Sequence, residues 1–216
     1  MSSNTKRTPY YYIDLSKVKS NYNLFNNEII SAGRNDIIAY SVKANYHPAI
    51  IELLNSLGSF FEVCSEYEYN LLCNYGIDTS HIIINGCFYT NYSKYKDSII
   101  ILDSLDQLIQ WINTGCKEQI GFRVNLNYFT KDDRFINKLS RFGIDINSIE
   151  FKKALKKANL EKVICLHCHL SGNTRDPSIY NDVIQQLLNI QQLFSLYGIK
   201  YFDIGGGYKS GKDIGY

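Results

Sequence analysis

The sequence predicts an α/β fold: a (β/α)8 TIM-type barrel with seven of its eight strands visible, preceded by a short lead-in strand and helix. Two observations carry this. Short apolar runs alternate without a break with helical or polar segments, the pattern of parallel strands joined by crossovers. Chemically distinctive residues then follow several different strands, as at the C-terminal rim of a barrel. A doubly wound open sheet fits the same alternation, but its distinctive residues gather at one switch point.

Residues 1–8 are polar and predict a disordered tail, which leaves 9–216 as the barrel domain. Pro9 to Ile13 is the lead-in strand. Asp14 caps a helix whose face is Val18, Tyr22, Phe25 and Ile29, ending near Gly33. The first barrel strand is the apolar run from Ile37, buried on both faces and surfacing at Lys43-Ala44-Asn45. Its helix runs from Pro48 to Leu57. Phe60–Val63 is the second strand, with a helix over Glu66–Tyr75 stopped by Gly76. His81–Ile84 is the third, followed by a polar excursion through Asn91 and Lys96. Ser98–Leu102 is the fourth, after which Ser104 caps a helix closed by Gly115. Gln119–Leu126 is the fifth, followed by a loop over Asn127–Asn147 and a helix over Ile149–Ala158. Val163–Leu170 is the sixth, and Asp176-Pro177 opens the longest helix, with Gly198 as its stop. Tyr201–Ile204 is the seventh, running into Gly205-Gly206-Gly207.

The chain has 216 residues, enough to bury about 70% of its unfolded surface in one domain. A net charge of +2 with dispersed Lys and Arg points to neither nucleic acid nor membrane as partner. The densest basic run, Lys152-Lys153 with Lys156-Lys157, sits on an amphipathic helix as a solvated face. Cys64, Cys73, Cys87, Cys116, Cys165 and Cys168 form no CxxC pair, and several lie in apolar runs. They read as reduced thiols of a cytoplasmic protein. No apolar run approaches the roughly 18 residues of a membrane span, and the N-terminus has no apolar signal core.

The chemistry concentrates at strand ends. Lys43 is either a solvated side chain or a rim amine. Period-two alternation puts Val163, Cys165, His167 and His169 on one face, with both histidines toward the rim. They are buried hydrogen-bonded rings or, with His47, a metal pair that lacks carboxylate partners. Arg123 lies inside the fifth strand and needs an acceptor; Glu62 is the carboxylate in reach, so a structural salt bridge is one reading. Gly205-Gly206-Gly207 is either a tight turn or a backbone cradle for a phosphate, with Asp203 before it as a rim residue or loop cap. Leu170 to Thr174 offers hydroxyls at the same rim. A lysine, a carboxylate, an arginine, an imidazole and a phosphate-type loop together suit an aldehyde cofactor bearing a phosphate, with the lysine as Schiff-base partner.

These residues resemble a known family. Tyr40-Ser41-Val42-Lys43-Ala44-Asn45, Phe61-Glu62-Val63-Cys64-Ser65, Arg123-Val124-Asn125, Arg141-Phe142-Gly143-Ile144, Leu166-His167-Cys168-His169 and Asp203-Ile204-Gly205-Gly206-Gly207 are similar, in order, to the barrel motifs of fold-type III pyridoxal-phosphate decarboxylases. These are the ornithine, diaminopimelate and arginine decarboxylase relatives. The resemblance implies pyridoxal 5'-phosphate on Lys43, which also moves protons. It implies His169 against the cofactor ring, and Ser171, Gly205, Gly206 and Gly207 around the phosphate. Glu62 and Arg123 would support lysine and cofactor. The substrate would be a small basic or diamino acid, and the family is homodimeric. It also places the lead-in strand against a second, β-rich domain.

Two departures stand out. Where the family reads apolar-Gly-Ser after the histidine, this chain has Leu170-Ser171-Gly172. The family's Glu-Pro-Gly-Arg segment and its β domain have no counterpart in these residues, so a partner chain or further sequence would supply them. The expected function is therefore amino-acid decarboxylation, incomplete in this chain. The alternatives are a non-catalytic cofactor-binding or interaction protein and a metal-dependent barrel hydrolase.

Overall fold

The computed structural model describes residues 9–86, 91–95, 97–115, 117–126, 140–170 and 178–206. Among them, one sheet holds β1 (Ala39–Ser41), β2 (Phe60–Val63), β3 (Ile82–Asn85), β4 (Ile99–Leu102), β5 (Ile120–Arg123), β6 (Val163–His167) and β7 (Tyr201–Asp203). The helices are α1 (Leu15–Ser31), α2 (Pro48–Ser56), α3 (Glu66–Asn74), α4 (Leu105–Asn113), α5 (Ile149–Leu155) and α6 (Ser178–Leu193). Strand order follows the chain from β1 to β7, and every pairing is parallel. A doubly wound sheet reverses its order at a switch point, so that alternative is set aside.

The sheet also curls. Asn85 at the end of β3 donates from Nδ2 to His167 Nε2 of β6 at 3.1 Å, although two strands lie between them. At about 4.8 Å per strand, a flat sheet would hold those positions about 14 Å apart. Curling divides the apolar residues into two sets. Phe61, Ile82, Ile100, Phe122 and Leu166 belong to the large core with helix residues such as Ile51, Leu72, Trp111 and Val183. Ile99, Ile101, Ile164 and Cys165 form a small inner cluster with Ile83 and Tyr201. Space there is tight: a Cβ on Gly121 would lie 2.6 Å from Ile101 Cδ1 and 2.7 Å from Cys165 Cβ.

Helix starts follow sequence chemistry. Asp14 accepts from the Lys17 N–H, and Ser65 and Ser104 accept from the Glu68 and Gln107 N–H groups. Pro48 opens α2 behind His47, whose ring Nδ1 accepts from the Ala49 N–H. His47 is thus a helix cap through Nδ1. No helix among the described residues is long and apolar enough to cross a membrane.

Several expectations need correction. Among the described residues Pro9–Ile13 pairs with no strand, and Tyr10, Tyr11 and Tyr12 are exposed. The first strand is not buried on both faces: it pairs over three residues, among the described residues only with β2, and Ile37 is exposed. An edge strand covered on one side cannot bury its whole run. Val163 leaves the predicted histidine face because the register shifts between Ile120 and Gly121; it joins the outer core while both Ile164 and Cys165 turn inward. Gly198 does not stop α6, which ends at Leu193 with Ser195 in the left-handed region (φ 52°). Gly198 instead admits backbone, since a Cβ there would meet the Glu161 carbonyl at 2.9 Å. Phe25 is exposed, leaving Val18 and Tyr22 as the part of the α1 face packed on the core. The tail 1–8 lies outside the described residues.

Candidate active site

Lys43 sits where β1 gives way to a 3₁₀ turn over Val42–Ala44. Val42 is fully buried in the outer core, so its neighbour is turned toward the rim. Ser41 stands in register with Glu62, and the Lys43 amine lies 3.5 Å from Glu62 Oε1. The lysine side chain is 59% exposed, so this pair orients the amine in a solvated setting rather than stabilising the fold.

Two βα junctions share one local device. In the first, Ser65 caps α3 while Glu68 Oε2 accepts from the Cys64 N–H at 2.7 Å. In the second, Ser104 caps α4 while Gln107 Oε1 accepts from the Asp103 N–H at 2.7 Å and its Nε2 donates to the Gly86 carbonyl. This fixes the backbone of Asp103, whose carboxylate accepts from Arg123 Nη1 at 2.9 Å. The guanidinium also lies over the Phe142 ring, 4.7 Å from its centroid. Next to Phe142, Gly143 lies close against the chain after β5: at φ 87°, a Cβ there would meet Asn125 N at 2.8 Å.

Arg123, His167 and Asp203 stand side by side in register across β5, β6 and β7. His167 is 1% exposed, and its Nδ1 lies 2.9 Å from Asp203 Oδ2, off the ring's ideal N–H axis. Asp203 Oδ1 accepts from the Gly205 N–H at 2.8 Å, and Gly206 N–H donates to His169 Nδ1 at 3.3 Å. Gly205 has φ 73°, and a Cβ there would strike His169 Nδ1 at 2.6 Å. The turn therefore offers bare backbone beside an imidazole.

The charges are set by these neighbours. Burial disfavours the Asp203 carboxylate, but His167 and the Gly205 N–H outweigh it and hold its pKa below the usual aspartate value. His169 is pushed below the ordinary histidine value by burial first, then by His167, Arg123 and Lys43, against an opposing pull from Asp203. Cys168 is driven up to about 12, chiefly by burial. Among the described residues, Cys64, Cys73, Cys165 and Cys168 are free thiols. No group of three or more His, Cys, Asp or Glu side chains among those residues gathers as a metal site, so the hydrolase reading gains no ligand set there.

The rim brings Lys43 to Glu62, and His169 to Gly205 and Gly206. It does not bring Glu62 to Arg123: each has another partner, because Asp103 on the adjoining strand reaches the guanidinium first. Ser171 and Gly207 lie outside the described residues. Asn85 and Asp103 were missed in the sequence. The signal was a polar residue two places after an inward isoleucine, Ile83 then Asn85 and Ile101 then Asp103.

Comparison with known proteins bears on the family and the fold. The family described as pyridoxal-dependent decarboxylase, pyridoxal binding domain, matches residues 15–214. The diaminopimelate decarboxylase of Aquifex aeolicus is 29% identical over 93% of this chain and 50% of its own length. The ornithine decarboxylase of Schizosaccharomyces pombe is 25% identical over 78% of this chain and 40% of its own length. A crystal structure of diaminopimelate decarboxylase from M. jannaschii in co-complex with L-lysine superposes with a TM-score of 0.74 and 26% identity, covering 95% of this chain and 53% of that one. The chain spans about half the length of the curated relatives it matches.

Proposed function

The chain belongs to the pyridoxal-dependent decarboxylase family through its pyridoxal-binding domain, and from that premise we propose that Lys43 holds pyridoxal 5'-phosphate for decarboxylation of a basic or diamino acid. One observation carries the reading: the rim amine of Lys43, 3.5 Å from Glu62, is near enough to bear on the charge of His169, the ring that meets the Gly205–Gly206 turn. The residues present fit the group. Lys43 offers an accessible amine, and the turn offers backbone where a side chain would collide with His169. By the family's motif Gly207 would join the phosphate set, while Ser171 stands one position out of that motif's register. The amino-acid class follows the diaminopimelate and ornithine decarboxylases among the relatives.

When bound, the cofactor supplies an electron sink for the pair left as the substrate's α-carboxylate departs. The chain's own residues do the rest. Glu62 orients the Lys43 amine, which binds the carbonyl and carries protons. His169, kept neutral near pH 7 by its lowered pKa, presents a flat ring without adding charge. Arg123, neutralised by Asp103, supports the site from β5. We read residues 9–216 as the barrel portion of a dimeric decarboxylase, its open edges closed by further sequence or by a partner chain.

The test is direct. Protein incubated with pyridoxal 5'-phosphate should develop a visible absorption band, and borohydride reduction should leave the cofactor's mass on the Lys43 peptide. Lys43→Ala should lose both. A wild-type protein that takes up no cofactor, or carries it on another lysine, overturns the reading.

A further inference from the structure

His167 lies on the inner face of β6 with Nε2 hydrogen-bonded and Nδ1 beside a carboxylate, although the family motif assigns the rim imidazole to His169. Its burial is nearly complete, and its neighbours come from opposite sides of the curled sheet. Asn85 of β3 reaches Nε2 at 3.1 Å, and Asp203 of β7 lies 2.9 Å from Nδ1. A buried imidazole with an amide donating to Nε2 must carry its proton on Nδ1. Asp203 Oδ2 lies 2.9 Å from that nitrogen, off the ideal N–H axis but near enough for a small turn of the ring or carboxylate to close the bond. The other carboxylate oxygen of Asp203 holds the Gly205 N–H at 2.8 Å. The two oxygens of Asp203 thus face different groups, Oδ2 the His167 ring and Oδ1 the Gly205 N–H.

We propose that His167 is a positioning residue: set as the Nδ1–H tautomer by Asn85, it locks the Asp203 carboxylate, which in turn holds the Gly205–Gly206 turn in its phosphate-receiving shape. The phosphate clause rests on the cofactor reading above; the lock on the turn does not. The chain of contacts runs Asn85, His167, Asp203, Gly205, so the far side of the curled sheet bears on the Gly205–Gly206 turn. Without the lock, Asp203 is free to rotate toward solvent, where it is already 24% exposed, and the Gly205 N–H loses its acceptor.

Two substitutions separate this role from simple packing. Asn at 167 can place an amide N–H near the Nδ1 position and keep the donor to Asp203. Gln reaches the Nε2 position instead and loses that donor. In 15N-labelled protein, the His167 ring should show the Nδ1–H pattern, and the Gly205 amide resonance should shift in His167→Gln but stay near its wild-type position in His167→Asn. Pyridoxal 5'-phosphate affinity should fall about tenfold or more in His167→Gln, the size of one lost hydrogen bond to a charged group, with His167→Asn within about threefold of wild type by the same comparison. An Nε2–H or doubly protonated ring, or a Gly205 resonance equally placed in both variants, overturns the lock whatever the cofactor does. Equal cofactor affinities with the predicted resonances overturn only the phosphate clause. A wild type that binds no cofactor removes the reading above while the resonances still decide the lock.

Discussion

At the residue scale, the site separates what sequence can show from what it cannot. Lys43 and Glu62 were legible because both end strands that sit side by side, so a register of Ser41 on Glu62 brings them together. The partner of Arg123 was not, since two carboxylates competed and only the packing of β4 against β5 selects Asp103. Electrostatics gives a prediction here. His169 titrates below 6.5 when folded, so as pH falls past that value the unfolded chain gains a proton that the folded chain resists. Stability therefore declines over that range and levels off once the folded ring is also charged. Asp203 adds a later loss: held below 3.8, its contribution is present above that value and fades as pH drops through the folded pKa. Urea midpoints from pH 7 to 5 should fall more gently in His169→Gln than in wild type. Parallel declines would refute the assignment.

At the element scale, periodicity and caps located strands and helices to within a few residues, and the failures have identifiable causes. The β6 face was misread by one residue because the irregular register beside Gly121 breaks strict alternation. The end of α6 was misread because Ser195 adopts a backbone conformation that sequence assigns to glycine. Gly121 is the position where this matters energetically. Its missing side chain admits Ile101 and Cys165 into the inner cluster, and an added Cβ would also approach the Cys165 carbonyl at 2.9 Å. Gly121→Ala should therefore destabilise the fold by about 1–3 kcal/mol, the usual cost of overpacking. Adding Ile101→Val removes the nearest methyl but not the Cys165 contacts, so rescue should be partial. Chemical denaturation of the single and double variants measures this, and a neutral Gly121→Ala would show that the inner cluster yields freely.

At the scale of the whole molecule, alternation and rim chemistry together pointed to a barrel, and the unreversed strand order agrees. What no periodicity could show is how far the sheet closes. Among the described residues β1 pairs only with β2, and β7 only with β6. Within the described residues each presents unpaired backbone groups along one side, a template for another strand. These edges are three residues long, which limits but does not remove the hazard. The exposed aromatics Tyr10, Tyr11 and Tyr12 add apolar surface ahead of α1. The 216-residue chain expressed by itself should consequently associate as its concentration rises. Sedimentation velocity over a tenfold or wider concentration range tests this: a growing fraction of larger species is expected, and a monodisperse monomer throughout would mean that the edges are already covered. Closure also bears on the site, because Lys43 follows β1 and the Gly205–Gly206 turn follows β7. A strand that closes the sheet would join the two edges from which those groups project, so its arrival should tighten cofactor binding even without contributing a side chain.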